Sequence, residues 1–166
     1  MKRFAELFVA IDQTTKTNEK VAAIVRYLAD SDDRSSLYAI ALLIGNRPRR
    51  PVKTSDLKAW ATSAAGIPDW LFEESYHIVG DLAEAIALML PPNLLSEHDY
   101  RLPDVVVQLA ELPEQTDEQK REIITGYWQH LSRDERFIFT KLITGNFRMG
   151  VSRQLVIKAL SIHLGM

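Results

Sequence analysis

The sequence contains no cysteine among its 166 residues, which excludes disulfide bonds, thiolate nucleophiles and cysteine-ligated zinc sites. It also lacks a long apolar run, since the best candidate for a membrane span, Ala83–Leu90, is far shorter than the ~20 residues a transmembrane helix needs. Glu6 and Asp12 interrupt the N-terminal segment, which therefore does not read as a secretion signal. These absences predict a cytoplasmic protein without membrane contacts.

No segment shows a convincing β-strand pattern, in which apolar and polar residues alternate over the length of a strand. Helical spacing recurs instead, beginning with Phe4, Leu7, Phe8 and Ile11 on one face of a helix over residues 2–12. The pattern predicts an all-α fold of about ten short helices in a single compact domain spanning residues 1–166. The other helices are expected over about 17–29, 33–44, 54–65, 68–78, 82–90, 104–111, 117–131, 133–144 and 153–164.

Polar residues that can cap helices support these boundaries. We expect N-caps at Thr17, Asp33, Asp81 and Ser152, an opening at Thr54-Ser55-Asp56, and C-terminal glycines at Gly45 and Gly66. Capping boxes are predicted for Thr116 with Gln119 and for Ser132 with Glu135. The three tryptophans lie within amphipathic patterns, so core packing is favoured over base stacking for Trp60, Trp70 and Trp128.

Charge is segregated along the chain. Residues 45–60 carry five basic side chains against Asp56 alone, and residues 137–166 carry four basic side chains and no acid. Each segment therefore has a charge of +4, and because the whole chain has −2, the remaining residues carry −10. Two basic segments stand out on an acidic body, a pattern that either two solvated stretches or an anionic partner would explain.

The two basic segments also resemble each other in sequence. Asp33–Arg47 and Asp134–Arg148 each contain an apolar helix that ends in Gly-Asn and an arginine. Each continues through a loop into a helix that begins at a hydroxyl residue, Thr54 in one case and Ser152 in the other. The sequence thus predicts two pseudo-repeated units of helix, Gly-Asn, basic loop and helix.

Such a unit suits the binding of phosphate groups. Glycine lets the backbone approach a ligand closely, the start of a helix offers free N–H groups and a positive dipole, and loop arginines add charge-assisted hydrogen bonds. Two units could contact phosphates at two places along a duplex. The candidate contact residues are Gly145, Asn146, Arg148, Gly150, Ser152 and Arg153 in one unit and Arg47, Arg49, Arg50, Lys53, Thr54 and Ser55 in the other.

Phe147, Met149 and Val151 alternate with Arg148 and Gly150 in the second unit. This alternation predicts that the apolar side chains hold the loop against the core while Arg148 is directed outward.

Three stretches of the sequence resemble a known family, the N-terminal DNA-binding domain of ATP-dependent DNA ligases, and the resemblance is closest to bacterial members. They are Thr144–Ser152, then Val79–Glu84 with its apolar continuation, and Leu43–Pro51.

The resemblance runs from about Phe4 to Leu164 and implies an all-helical domain that grips nicked duplex DNA from the minor-groove side. Gly145, Arg148 and Gly150 match the family's phosphate-gripping loop, and Arg47–Lys53 matches its other basic loop less closely. The implied parent enzyme seals nicks in replication, recombination or repair. Its implied partners are the DNA and its own nucleotidyltransferase and OB domains, and we expect a monomer near the nucleoid.

The family's catalytic signature is missing from this sequence. No Lys-x-Asp-Gly occurs in the 166 residues, although in such ligases the lysine of this motif is adenylated by ATP. We therefore expect a fragment that is inactive by itself and needs no cofactor, with ATP and Mg²⁺ bound by other domains of the parent.

Other chemistry has little support. Histidines 77, 98, 130 and 163 show no metal-ligand spacing, and neither a Walker phosphate loop nor a dinucleotide fingerprint occurs, so we predict no catalytic residues and no metal site. The alternative function is a helical protein–protein adaptor whose basic loops dock an acidic partner.

Overall fold

The computed structural model describes residues 1–92, 98–144, 147 and 149–166. Within these ranges the chain is all-α, as predicted, with ten α-helices, one short 3-10 turn and no strand. None of these helices combines the length and the apolarity that crossing a bilayer would require. The helices are α1 Lys2–Asp12, α2 Thr17–Asp30, α3 Asp33–Leu43, α4 Thr54–Ala65, α5 Asp69–Val79, α6 Leu82–Met89, α7 Leu102–Glu111, α8 Asp117–His130, α9 Arg133–Thr144 and α10 Arg153–His163; the 3-10 turn is Leu112–Glu114.

Most of the predicted capping interactions are present. Asp81 accepts a hydrogen bond from the N–H of Glu84, and Thr116 forms the reciprocal capping box with Gln119. Ser132 and Glu135 exchange the corresponding pair of bonds at 3.4 Å. Side-chain oxygens thus satisfy N–H groups that a helix start leaves without an intrahelical acceptor.

Two predicted N-caps and one predicted helix start were wrong. Lys16, not Thr17, is the N-cap of α2, and Asp32 instead of Asp33 caps α3, accepting a hydrogen bond from the N–H of Ser35. Either of two adjacent aspartates can serve as a cap, so the sequence alone could not select one. α7 begins at Leu102, two residues before the predicted start.

The contacts between residues divide the protein into two compact units. Unit 1 comprises Met1–Arg47, Tyr100–Val107 and Phe147–Met166, and unit 2 comprises Pro48–Asp99 and Gln108–Asn146. Each unit is described by itself.

Unit 1 is built around α2, which packs on α1, α3 and α10. Apolar residues at helical spacing supply the contacts, including Phe4 and Ile24, which are completely buried. At the edge of the unit, Arg101 forms an ion pair with Asp32 at 2.8 Å. The core of unit 1 therefore holds α10 against α2.

Unit 2 centres on the packing of α6 against α9. Trp128 is buried, as predicted, and its Nε1 donates a hydrogen bond to Thr140 Oγ1 at 3.1 Å. The buried Arg136 donates from Nε to the Trp128 carbonyl and from Nη1 to the Pro91 carbonyl, and burial lowers the pKa of this guanidinium. These bonds compensate for the burial of polar groups.

The expected burial of Trp70 was wrong, because 67% of this side chain is exposed. α5 buries Phe72 instead, and Trp70 lies two residues earlier on another face of the helix. Trp60 is half-buried, and so are Leu155 and Leu160 of α10. Val156 and Ala159 are the buried residues of that helix.

Candidate nucleic-acid interface

The start of α10 is a capped and solvent-facing helix N-terminus. Ser152 has an extended backbone, and its Oγ accepts a hydrogen bond from the N–H of Leu155 at 3.2 Å, as predicted. The N–H groups of Arg153 and Gln154, in the first turn, have no intrahelical acceptor by geometry. Ser152, Arg153 and Gln154 are all exposed, and the first turn contains no acid. The positive end of this helix is therefore open to an anion.

The segment before α10 is fixed to the core of unit 1 by aromatic packing. Phe147 is buried and stacks on Phe4 with ring centroids 6.0 Å apart, and its centroid lies 5.9 Å from that of Phe8. Met149 is also buried, whereas Val151 is half-buried. The predicted anchoring of this loop by alternate apolar residues is thus confirmed for Phe147 and Met149.

Three predicted contact residues, Gly145, Asn146 and Arg148, lie outside the described residues. Gly45, at the matching position of the first unit, adopts a left-handed backbone with φ +95° after α3. The glycine stop of the first unit is therefore confirmed, and the pseudo-repeat itself stays a prediction.

Gly150 connects this loop to α2. Its φ of +66° lies in the left-handed region, and its carbonyl oxygen accepts a hydrogen bond from Lys20 Nζ at 2.8 Å. Lys20, which is 130 residues away in the chain, was not predicted as a site residue. Only the packing of α2 against α10 brings its ammonium group to this loop.

Arg47 contacts the same loop within unit 1. Its Nη1 donates a hydrogen bond to the Phe147 carbonyl oxygen at 3.5 Å, and the residue is exposed. One arginine of the first basic segment is thus joined to the second basic segment. We call Lys20, Arg47, Gly150, Ser152 and Arg153 the α10 site.

The charge of the α10 site is uncompensated. Among the described residues, no ion pair engages Lys20, Arg47 or Arg153. Arg153 lies in the first turn of α10, and Lys20 and Arg47 contact the segment that leads into it, so positive charge is added near the positive end of the helix dipole. Such an arrangement attracts an anion and offers it both charge and N–H donors.

The other predicted contact residues belong to unit 2, at the start of α4. Arg50, Lys53 and Thr54 line an open cleft of about 430 Å³, and Asp56, Asp117 and Lys120 line it as well. The remaining two predicted residues, Arg49 and Ser55, are exposed. We call the cleft-lining charged residues and Thr54 the α4 site.

The predicted role of Thr54 and Ser55 in capping was wrong. Lys53 is the N-cap of α4 and makes no side-chain capping bond, so Thr54 and Ser55 occupy the first two helical positions. A hydroxyl at those positions is not placed to accept from the N–H groups of the first turn.

Acids offset much of the positive charge at the α4 site. Asp56 lies in the first turn of α4 and Asp117 in the first turn of α8, where carboxylates are favoured by the helix dipole. Lys120, which sequence reasoning also missed, comes from α8, and α8 packs on α4 within unit 2. Three cations against two acids leave a net charge of +1 among the residues that line the cleft.

Comparison with known proteins gives one assignment. A family model described as "DNA ligase N terminus" matches residues 1–161, which include every residue of both sites. The comparison with curated proteins found no match.

Proposed function

Because the chain belongs to the DNA ligase N-terminal domain family, we propose that it binds nicked duplex DNA through the sugar–phosphate backbone, without reading the base sequence. The domain contacts the duplex from its minor-groove side. In the parent protein, an ATP-dependent ligase, the domain holds the nick while the nucleotidyltransferase and OB domains carry out sealing in replication, recombination or repair.

The observation that carries this proposal is the α10 site. Its cations Lys20, Arg47 and Arg153, which form no ion pair with the described residues, and the open start of α10 supply the two kinds of donor from which phosphate oxygens accept hydrogen bonds. Arg148, Gly145 and Asn146 are proposed as further contacts of the same site. The left-handed Gly150 adds no side chain, so a backbone phosphate can approach the exposed amides beside it.

Arg50, Lys53 and Thr54 of the α4 site, together with the exposed Arg49 and Ser55 beside it in the sequence, supply a second and weaker set of contacts. Its acids reduce the attraction for phosphate. Its cations therefore contribute more to the orientation of the duplex than to the binding affinity. Phosphate contacts fix the position and direction of a duplex but carry no sequence information.

Fluorescence anisotropy with two nicked duplexes of unrelated sequence tests the proposal. We expect the two affinities to agree within about a factor of two, because phosphates are the same in every sequence. Arg153→Glu should weaken binding to both duplexes by the same factor. The matched control is Arg26→Glu, an exposed reversal on α2 that lies outside both sites.

The adaptor alternative makes the opposite prediction. If the basic loops dock an acidic protein, the chain has no measurable affinity for either duplex at physiological salt, and Arg153→Glu leaves the anisotropy unchanged. A strong preference for one sequence would also contradict the proposal, because it would require contacts to base edges.

A further inference from the structure

α5 has apolar side chains on two opposite faces. Phe72 faces the core of unit 2 and is 1% exposed, whereas Trp70 and Ile78 are 67% and 81% exposed. With 3.6 residues per turn, Trp70, Glu74, Ile78 and Leu71 fall within an arc of about 100° opposite Phe72. We call these four residues the α5 outer strip.

The exposure of the strip is unusual for a solvent-facing helix. Single exposed apolar residues are common, but here a tryptophan, a leucine and an isoleucine share one face of a three-turn helix. Adjacent apolar side chains on a surface are typical of a contact site, and tryptophan is the side chain most enriched at energetic centres of protein interfaces.

The charge around the strip identifies the kind of partner. From Ala59 to Tyr100 the sequence contains seven acidic residues and no lysine or arginine, and one of the seven, Asp81, forms an ion pair with Lys141. On α5, Glu73 pairs with Lys58 at 3.3 Å, but within the described part of the chain no ion pair engages Asp69 or Glu74. The apolar strip therefore carries an uncompensated carboxylate at Glu74 and another nearby at Asp69.

We propose that the α5 outer strip docks a cationic amphipathic helix of a partner protein. The apolar side chains of that helix cover Trp70, Leu71 and Ile78, and its lysines or arginines pair with Glu74 and Asp69. This is the recognition of an amphipathic helix through anchors spaced by three, four and seven residues. Duplex DNA and anionic lipid do not suit the strip, because both would be repelled by the same carboxylates.

The inference does not depend on DNA binding by the α10 site. It can be tested with the 166-residue chain and a fluorescein-labelled peptide of leucine and lysine, 18 residues long by design, with amphipathic helical spacing. A leucine–glutamate peptide of the same pattern is the charge control. We expect the lysine peptide to bind and the glutamate peptide not to bind.

Variants of the strip separate specific docking from general attraction to an acidic surface. Trp70→Gln with Ile78→Gln keeps every charge and should lower the affinity for the lysine peptide by about tenfold or more, since the apolar anchors are lost. Glu74→Lys should also weaken binding. Leu37→Gln with Ile157→Gln, at residues 66% and 55% exposed, is the matched control and should leave the affinity unchanged.

Three results would overturn the inference. The first is equal affinity of the lysine peptide for the wild type and for the Trp70→Gln, Ile78→Gln chain with unchanged unfolding midpoints. The second is self-association in sedimentation that the same double variant abolishes, which would place a second copy of the chain on the strip. The third is weaker binding of nicked DNA by that double variant, which would assign the strip to the DNA interface.

Discussion

The two helix starts that the sequence marks as similar differ in their surroundings. The start of α10 has a serine cap, no acid in its first turn, and Lys20 and Arg47 bonded to the preceding loop. The start of α4 has no side-chain cap, and Asp56 and Asp117 line its cleft together with Arg50, Lys53 and Lys120. Two segments of similar sequence thus lead to two sites of unequal charge.

The difference shows that residues distant in sequence decide how strongly a helix start attracts an anion. Lys20 adds a positive charge at one start, whereas the charges of Asp117 and Lys120, both from α8, cancel at the other. The α10 site should therefore contribute most of the affinity for phosphate, and the α4 site should contribute less. Four sets of variants test this comparison.

The largest effect is expected from Phe147→Ala, which removes the buried ring that anchors the loop of the α10 site. Truncation of a buried phenylalanine costs about 3–5 kcal/mol, so the free energy of unfolding measured in urea should fall by that amount. Val52→Ala, at the buried residue before Lys53, is the counterpart and should cost about 2 kcal/mol. Equal losses would show that the two loops are anchored alike.

Charge reversal of one lysine at each site compares their affinities directly. Lys20→Glu should weaken binding of nicked duplex by about tenfold, because hydrogen bonds to charged groups contribute about 1.5–3 kcal/mol. Lys120→Glu should weaken it by about threefold, because acids already reduce the attraction there. Anisotropy titrations at one salt concentration measure both, and a larger loss for Lys120→Glu would reverse the ranking of the sites.

Removal of a hydroxyl at the start of α10 and at the start of α4 should change the stability of the protein by different amounts. Ser152→Ala removes the acceptor for the Leu155 N–H and should lower the free energy of unfolding by about 1 kcal/mol. Thr54→Ala removes no cap and should change it by less than about 0.5 kcal/mol. Thermal unfolding of the two variants decides this, and a greater loss for Thr54→Ala would contradict the assignment of Lys53 as the N-cap.

The smallest effect should come from neutralising the acids of the α4 site. Asp56→Asn with Asp117→Asn should raise the affinity for nicked duplex by about threefold, since two repulsive charges are removed in a largely aqueous environment. Asp69→Asn, on the exposed side of α5, is the control. If the double variant binds DNA no better than the wild type, the acids do not reduce the affinity of the α4 site for DNA.

The sequence predicted much of the fold because helix signals are local. The spacing of Phe4, Leu7 and Phe8 and the capping box of Thr116 with Gln119 depend on residues within two turns of each other. The exposed side of α5 was not predicted, since apolar spacing marks a helix but cannot show that a second apolar face points to solvent. Trp70 was assigned to the core for that reason.

The residues of the α10 site and the α4 site were predicted less completely than the helices. The burial of Phe147 and the cap at Ser152 followed from alternation and from a hydroxyl before a helix. Lys20 and Lys120 were missed, because α2 and α8 bring them to the loops and no local pattern marks them. That these two lysines and the predicted contact residues bind DNA stays a prediction.

The dependence of DNA affinity on salt tests the central claim most directly, namely that the chain holds duplex DNA by its phosphates. The measurement is the association constant of the 166-residue chain for a nicked duplex at several salt concentrations. Neutralisation of roughly six phosphates predicts that log K falls with log[salt] at a slope of about −5. An affinity that does not change with salt would contradict the claim.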